Sequence, residues 1–320
     1  MKKVGIISGI VIALLIIAYG LVGNYFYNYA LNAQDEKEFL EGNPHLAESE
    51  AVMADVAEAA KLADDDFISR FEPSILKVIS NDKLQLNLSG NLFQQEVSSN
   101  KWAIVAHGYS GNASHMTRWV RNFYEQGYNV LAPDLRGHGK SEGNYIGMGW
   151  HDRKDMLLWI NRILDLDPDA EIVLFGISMG GATVMMTSGE ELPPNVKVIV
   201  EDCGYTSVSD VFIYQLDDLF GLPEFPVIHA ANTVTKLRAG YDLYEASAIE
   251  QVAKSTTPML FIHGENDTFV PYEMLFEVYD AANVEKDMLI IPGAGHGDAE
   301  KVDPEIYWNT IWGFVGKYIY

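Results

Sequence analysis

Residues 172–181 read IVLFGISMGG, and this stretch decides the fold of the chain. Its first four residues, 172–175, form a short apolar run with the length and composition of a buried strand. Gly176 and Gly180 flank Ser178 on either side. A serine between two glycines, after a strand and before a helix, is typical of a nucleophile elbow, in which a tight turn exposes the serine hydroxyl above a sheet.

The pattern on both sides of this stretch alternates between strands and helices. Apolar strand-like runs are predicted at 102–106, 129–132, 172–175, 196–200, 259–262 and 288–291. Helices are predicted at 116–123, 151–164 and 178–188, with a last helix beginning at Asp303-Pro304. Two earlier strands, 76–80 and 84–88, are predicted to form a hairpin with its turn at Asn81-Asp82. This alternation indicates an α/β fold, with a mostly parallel central sheet and helices on both faces.

A serine hydroxyl becomes an effective nucleophile only when a base removes its proton. Of the eight histidines, His296 is best placed, because it lies in the glycine-rich segment 293–297, directly after the strand 288–291. Ligands of such sheets bind beyond the carboxyl ends of the strands, which meet at one edge. We therefore expect Ser178 and His296 to lie close together as nucleophile and base.

The imidazole of a catalytic histidine needs a carboxylate that fixes its tautomer and stabilises its charged form. Asp267 and Glu265 both follow the strand 259–262, and Asp202 follows the strand 196–200. Spacing alone makes Asp267 the first choice and leaves the other two open. The order serine, aspartate, histidine along the chain is that of α/β-hydrolases.

Over about residues 74–320 the sequence resembles the α/β-hydrolase superfamily. It is similar to the exported or membrane-bound bacterial serine hydrolases related to serine aminopeptidases and prolyl-oligopeptidase-type catalytic domains. In these proteins the catalytic acid lies in a G-x-x-D-x-x-V-P segment, which residues 264–271 match position for position. The resemblance therefore implies that Asp267 is the acid.

Two further motifs of this superfamily are present. An H-G pair after the third strand appears as His107-Gly108-Tyr109, which implies an oxyanion hole formed by the backbone N–H groups of Tyr109 and Met179. A D-x-R-G-x-G-x-S segment appears at residues 134–141. Its end, Gly139-Lys140-Ser141, resembles a phosphate-binding P-loop, but Asp134 stands where that loop needs its first glycine, so nucleotide binding is not expected.

Composition and charge argue against several kinds of partner. The 320 residues include 45 acidic and 22 basic side chains, a net charge of −23, which repels the phosphate backbone of nucleic acids. Cys203 is the only cysteine, so neither an intrachain disulfide nor a cysteine-based metal site can form. No H-E-x-x-H or similar metal-binding spacing occurs. We expect no metal ion, no cofactor and no nucleic-acid partner.

Residues 4–22 contain no charged side chain. As a helix they would extend roughly 28 Å, close to the thickness of about 30 Å of a bilayer's hydrocarbon core. Lys2 and Lys3 precede this run and aromatic residues at 25–29 follow it, which is typical of a spanning helix with a cytoplasmic N-terminus. We expect residues 1–32 to be an uncleaved signal anchor that crosses the cell membrane once, with the catalytic domain on the extracellular side. Removal as a signal peptide is the alternative.

The rest of the chain is predicted to consist of an acidic linker at 33–73, with a helix at about 46–63, and a catalytic domain at 74–320. Residues 206–245 are rich in large apolar side chains and lie between two strands, which predicts a small cap of two helices over Ser178. The alternative is that these side chains only pack against the sheet. A cap would favour an apolar acyl group, and the side chains expected to contact the substrate are Tyr109, Phe212, Leu216 and Phe220.

The sequence therefore predicts a serine hydrolase that cleaves carboxylic esters through an acyl-enzyme, with Ser178, Asp267 and His296 as the catalytic residues. A first alternative keeps these residues but cleaves peptides or aminoacyl amides, or transfers acyl groups. A second alternative is a surface protein that binds a partner without catalysis. The expected partners are a small-molecule ester or acyl compound and, through the N-terminal helix, the membrane.

Overall fold

The computed structural model describes residues 2–320, with side chains from residue 6 onward. One sheet contains eight strands: β1 Ser74–Ile79, β2 Asn87–Phe93, β3 Lys101–Ala106, β4 Asn129–Pro133, β5 Glu171–Ile177, β6 Val196–Asp202, β7 Met259–Gly264 and β8 Lys286–Ile291. Their order across the sheet is β1-β2-β4-β3-β5-β6-β7-β8. Strand β2 is antiparallel to both of its neighbours, β1 and β4, and all other neighbouring pairs are parallel. The mostly parallel sheet predicted from the sequence is confirmed.

Helices cover both faces of this sheet. They are α1 Lys2–Leu31, α2 Ala54–Arg70, α3 Thr117–Glu125, α4 Asp152–Leu166, α5 Met179–Thr187, α6 Val208–Phe220, α7 Glu224–Arg238, α8 Ala248–Val252, α9 Glu273–Ala281, α10 Ala299–Val302 and α11 Pro304–Val315. Successive residues of β3 alternate between two cores, because side chains of a strand point to opposite faces. Ile104 packs in the core that contains Trp159 of α4, whereas Val105 packs in the core that contains Phe123 of α3.

The order of the strands reverses at the centre of the sheet. From β3 the chain passes to β4 on one side, whereas β5 pairs with β3 on the other side. In open α/β sheets the crevice at such a switch point, beyond the carboxyl ends of the strands, is where ligands bind. Residues 107–109 follow β3 and Ser178 follows β5, so both predicted motifs lie at this crevice.

Two helices form the predicted small cap. Ser207 begins α6, since its side chain accepts a hydrogen bond from the N–H of Asp210, and Gly221 ends the helix in a left-handed conformation with φ of 61°. The chain then turns into α7. Residues 206–245 thus contain two helices, as the sequence predicts.

The hairpin of β1 and β2 differs from its prediction. The strand predicted at 84–88 is wrong, because β2 begins only at Asn87. The Asp82 carboxylate accepts hydrogen bonds from the Ser80 hydroxyl and from the Leu84 N–H, both at 2.9 Å. These side-chain bonds stabilise a longer loop than the two-residue turn expected from Asn81-Asp82.

The helix of the acidic segment also lies elsewhere than predicted. It spans Ala54–Arg70 instead of 46–63, and the large apolar side chains of Met53 and Leu62 are exposed. The fully buried side chain is that of Phe67, whose ring contacts those of Phe93 and Tyr124. Burial of such a side chain stabilises the packing by about 1.5–3 kcal/mol. The burial of Phe67, and not the alanine-rich periodicity, therefore determines where this helix lies in the sequence.

The N-terminal helix α1 has two different halves. From Ile6 to Leu21 its large apolar side chains are exposed, and by length and composition the helix could cross a membrane. Its last turns instead pack against α7, and Tyr27 and Leu31 are buried there. The end of α1 is thus part of the domain that carries the sheet.

Candidate active site

The turn between β5 and α5 holds Ser178 in an uncommon backbone conformation, with φ of 54° and ψ of −117°. A positive φ at a residue with a side chain costs about 1–3 kcal/mol, and such strain is concentrated at functional sites. Close packing requires the flanking glycines: a Cβ at Gly176 would lie 2.1 Å from the carbonyl oxygen of Gly180. The Ser178 N–H donates to the carbonyl of Asp202 at 2.7 Å. Together these contacts fix Ser178 at the carboxyl end of the sheet.

The imidazole of His296 lies between Ser178 and Asp267. Its Nε2 is 2.8 Å from Ser178 Oγ, and its Nδ1 is 2.7 Å from Asp267 Oδ2. An ionised carboxylate only accepts hydrogen bonds, so Nδ1–H donates to it, and Nε2 of the neutral ring accepts from the serine hydroxyl. The structure thus brings together three residues from distant segments in the order that general-base activation of a serine needs. Their catalytic roles stay a prediction.

Four hydrogen bonds hold the Asp267 carboxylate. Oδ2 accepts from His296 and, at 3.1 Å, from Nε2 of His263. Oδ1 accepts from the N–H groups of Phe269 and Val270, each at 2.9 Å. Burial acts to raise the pKa of this carboxyl group, but the charges and hydrogen bonds of His296 and His263 hold the pKa well below its usual range. Asp267 is therefore ionised at neutral pH.

The two alternative acids lie outside this network. Glu265 is exposed to solvent. Asp202 is buried, and its Oδ2 accepts from the hydroxyl of Tyr307 at 2.7 Å. Geometry therefore favours Asp267 as the partner of His296.

His263 is a buried second histidine that sequence analysis missed. It is fully buried in β7, and its Nε2 lies 3.1 Å from both Asp267 Oδ2 and the carbonyl of Val270. Burial acts to lower the pKa of His263, but Asp267 and Glu201 raise it above its ordinary value. One signal in the sequence could have identified His263. It is an H-G pair directly after a predicted strand, four residues before the candidate acid.

Glu201 is a buried acid beside the site. It is fully buried, and within residues 2–320 its Oε1 has no hydrogen-bond partner, while Oε2 accepts from the N–H of Gly204 at 2.9 Å. Burial, opposed in part by His263 and the Gly204 N–H, raises the pKa of Glu201 to about 8. The folded protein therefore keeps a proton on Glu201 at pH values where the unfolded chain has released it.

The substitution Glu201→Gln is expected to weaken the pH dependence of stability between about pH 5 and pH 8. In this window the folded state binds more protons at Glu201 than the unfolded state, so the free energy of unfolding falls as pH rises, by up to about 1.4 kcal/mol per pH unit for one group. Thermal unfolding at pH 5.5 and pH 7.5 measures the effect, with the exposed Glu265→Gln as the matched control. The same pH dependence in all three proteins would show that Glu201 titrates normally.

The two backbone N–H groups predicted to form the oxyanion hole belong to residues close to Ser178. Tyr109 and Met179 line the same cavity as Ser178. Met179 is the first residue of α5, so its N–H has no acceptor within the helix. No protein acceptor for the N–H of Tyr109 is found among residues 2–320. Both groups are therefore available to a substrate oxygen.

Hydrogen bonds of two histidines, the buried His107 and His138, hold the loop that carries Tyr109. His107 Nε2 accepts from the N–H of Leu135 at 3.0 Å, and Nδ1 donates to the carbonyl of Gly108 at 2.8 Å. This pattern needs a neutral ring, and burial lowers the pKa of His107 to about 3. The carbonyl of Tyr109 accepts from Nε2 of His138 at 2.8 Å. The backbone at Tyr109 is thus fixed from both sides.

The segment 134–141 cross-links loops, and the carboxylate of Asp134 lies in the middle of it. Asp134 accepts hydrogen bonds from the N–H groups of Ala113, at 2.7 Å, and Lys140, at 2.8 Å. A Cβ at Gly139 would lie 2.3 Å from the Asp134 carboxyl carbon, so a carboxylate fills the space that a P-loop would offer to phosphate. The segment therefore stabilises the loops at the crevice.

Two cavities meet at Ser178. The first measures about 830 Å³ with the space at its open mouth, and none of the charged side chains that the structure describes lines it. The four side chains predicted to contact the substrate all belong to its lining: Tyr109, Phe212, Leu216 and Phe220. The second cavity, about 700 Å³ by the same measure, is lined by Ser178, His296 and the loop 107–111. His296 lines the second cavity and not the first.

The lining of the first cavity includes residues that sequence analysis missed. The end of α1 contributes Phe26, Tyr27, Tyr29, Ala30 and Leu31, and the following segment contributes Phe39. The aromatic residues at 25–29 are predicted to lie at a membrane interface, and that interpretation does not place them at a substrate site. No local pattern indicates that this helix returns to the crevice of the sheet.

One group of side chains in the described part of the chain has the spacing of metal ligands. It consists of Cys203, Asp267 and His296, whose ligand atoms lie within 4.8 Å of one another. Both His296 nitrogens already form hydrogen bonds, and burial beside carboxylates raises the pKa of the Cys203 thiol well above its ordinary value. Because metals bind the thiolate, this environment disfavours a metal ion here.

A strand–elbow–helix unit at the switch point of such a sheet is the architecture of the α/β-hydrolases, and the chain belongs to this superfamily. Residues 98–204 match the model of a family described as serine aminopeptidase, S33. The superfamily assignment made from the sequence motifs is confirmed.

Individual relatives include both esterases and peptidases. The uncharacterized protein YqkD of Bacillus subtilis is 26% identical over 217 residues, which cover 66% of this chain and 70% of YqkD. Dipeptidyl-peptidase 5 of Aspergillus oryzae is 27% identical over 217 residues, which cover 64% of this chain and 29% of that protein. The solved esterase Pf2001 of Pyrococcus furiosus has a TM-score of 0.62 and 25% identity, covering 78% of this chain and 93% of the esterase. The superfamily therefore indicates a hydrolase and leaves the bond that it cleaves open.

Proposed function

We propose that the protein is a serine hydrolase that cleaves carboxylic esters through an acyl-enzyme on Ser178. The observation that carries this proposal is the pair of hydrogen bonds from Ser178 through His296 to the ionised Asp267. His296 takes the serine proton as Oγ attacks the ester carbonyl, and the N–H groups of Tyr109 and Met179 stabilise the oxyanion. Water then releases the acyl group with His296 again as base.

The positions of the two cavities indicate how the ester would bind. His296 must protonate the leaving alcohol, so the alcohol belongs in the second cavity, which His296 lines. The acyl group then belongs in the first cavity, on the side of Met179 and α6. An apolar acyl group suits this cavity because no charged side chain from residue 6 onward lines it.

Ester cleavage is favoured over aminopeptidase activity by the charge of the site. An aminopeptidase has to bind the charged amino group of its substrate, and buried charges need a partner of opposite sign. No aspartate or glutamate lines either cavity within residues 2–320. The overlap with the Pf2001 esterase, over 93% of its length, supports the same choice.

The experiment is a panel of p-nitrophenyl esters beside aminoacyl p-nitroanilides, measured with the full-length protein and with Ser178→Ala as the matched control. Ester turnover that is lost in Ser178→Ala, with little anilide turnover, is the expected result. Anilide turnover that exceeds ester turnover would support the peptidase alternative. A folded protein without turnover of either class would contradict the proposal.

We further propose that α1 anchors the protein in the cell membrane, with the catalytic domain on the extracellular side. The exposed apolar side chains from Ile6 to Leu21 support this proposal, as do Lys2 and Lys3 before them. Sedimentation with membranes after washing with high salt, and cleavage of the domain by protease added to intact cells, are expected. A soluble or protease-protected domain would contradict it.

A further inference from the structure

The C-terminal end of α1 is fastened to the loops of the active site. Lys37 Nζ donates to three carbonyl groups at the end of the helix, at 3.2, 3.1 and 2.8 Å. The hydroxyl of Tyr109, the residue whose N–H is proposed to stabilise the oxyanion, donates to the carbonyl of Ala30. The bonds of Lys37 fix the end of the helix to the segment that follows it, and the bond of Tyr109 links the helix directly to the proposed oxyanion loop.

The same end of α1 is also fastened to the cap. A Cβ at Gly23 would lie 2.3 Å from the carbonyl oxygen of Ala230 in α7, so the two helices are in backbone contact. The guanidinium of Arg238 lies over the ring of Tyr27, at 4.2 Å from its centroid, and donates to the Asn28 side chain at 2.8 Å. The end of α1, the cap and the loop of Tyr109 therefore form one packed unit.

This unit makes the end of α1 a wall of the first cavity. The rings of Phe26 and Tyr29 each lie 5.3 Å from that of Phe220 at the end of α6. Together with Ala30 and Leu31 they face the cavity that contains Ser178. Without the end of α1, this side of the cavity would lose five of its lining residues.

The wall lies close to the exposed apolar half of the same helix. From Val22, the last residue of the apolar run 4–22, to Ala30 is eight residues, or roughly 12 Å at the rise of an α-helix. The headgroup region on each side of a bilayer is about 5–8 Å thick. If α1 crosses the membrane as proposed, the cavity lies at or just above the headgroups of the lipids.

An exposed apolar tip of the cap lies beside the exposed half of α1, about three helical turns before Ala30. The hydroxyl oxygen of Tyr19 in α1 lies 3.1 Å from Oγ1 of Thr233 in α7. One turn earlier, the ring of His229 contacts that of Phe225, which is 70% exposed. An exposed phenylalanine beside a membrane-spanning helix is typical of a segment that contacts the bilayer surface.

We propose that the last two turns of α1 form the acyl-binding wall of the active site, and that the substrate is an uncharged single-chain acyl ester taken from the surface of the membrane. The acyl chain lies between α1 and α6, and the ester carbonyl lies at Ser178. An uncharged alcohol part is favoured because no lysine or arginine lines the second cavity within the described residues. In addition, the protein's net charge of −23 repels anionic headgroups. This inference rests on the proposed ester hydrolysis and names its substrate class.

The test uses the full-length protein in phosphatidylcholine vesicles with p-nitrophenyl esters from acetate to octanoate. The kcat/KM is expected to rise by up to about fourfold per methylene until the cavity is filled. Ala30→Phe fills the wall and is expected to lower the ratio of octanoate to acetate kcat/KM by roughly 16-fold, the effect of two displaced methylenes. Ala13→Phe makes the same change on the exposed half of α1 and is the matched control, with the wild-type ratio.

A second pair of substrates tests the charge of the alcohol part. Octanoyl or lauroyl monoacylglycerol is expected to be hydrolysed at least tenfold faster than the lysophosphatidylglycerol with the same chain. A flat chain-length profile, an unchanged ratio in Ala30→Phe, or equal hydrolysis of the anionic lipid would overturn the inference. Loss of turnover of all esters, acetate included, would instead contradict the proposed function itself.

Discussion

Replacing His296 by alanine is expected to lower kcat for ester hydrolysis by about 10⁶-fold, the loss found when one member of a serine–histidine unit is removed. The structural reason is that His296 Nε2, 2.8 Å from Ser178 Oγ, is the base that the serine hydroxyl contacts. The measurement is kcat on p-nitrophenyl acetate for wild type and His296→Ala, with thermal unfolding to show that both are folded.

A double variant gives this prediction a sharper form. Because Ser178 and His296 act as one unit in the proposed mechanism, Ser178→Ala combined with His296→Ala is expected to cost no more than either single change. Losses that multiply in the double variant would mean that the two residues act independently. A folded His296→Ala with nearly wild-type kcat would remove His296 from the mechanism.

Asp267→Asn is expected to lower kcat by about 10⁴-fold, because it imposes the wrong tautomer on His296. The N–H groups of Phe269 and Val270 donate to Oδ1 of Asp267, so the oxygen of an asparagine would keep that position. Its NH₂ group would then face His296 Nδ1 as a donor, and Nδ1 would have to accept. The proton would move to Nε2, which could no longer accept from Ser178.

The control for Asp267→Asn is Glu265→Gln, which makes the same chemical change at an exposed position of the same loop. Its kcat is expected to equal that of wild type. The measurement is kcat for both variants between pH 6 and pH 9. A large loss in Glu265→Gln, or a small one in Asp267→Asn, would mean that the acid is assigned to the wrong residue.

The sheet is predictable from the sequence because its central strands are buried on both faces. Such strands are short continuous apolar runs, as at 172–175, and each is followed by a glycine-rich turn or an amphipathic helix. The chain order of the motifs then brings Ser178, Asp267 and His296 to one edge. Local patterns are sufficient here because every one of these residues follows the end of a strand.

Long-range packing explains what the sequence does not reveal. The position of α2 depends on Phe67 meeting Phe93 and Tyr124, and no periodicity within the helix shows this. The role of α1 as a cavity wall depends on contacts with α7 and with Tyr109, far along the chain. His263 is hidden for the same reason, since only the fold shows that it reaches Asp267.

A serine nucleophile that is activated by His296 reacts covalently with a fluorophosphonate. We expect the folded wild-type protein to be labelled at Ser178, identified by mass spectrometry of the modified peptide. We expect no labelling of Ser178→Ala and far slower labelling of His296→Ala. A folded wild-type protein that stays unlabelled, or labelling that persists in Ser178→Ala, would show that Ser178 is not the activated nucleophile.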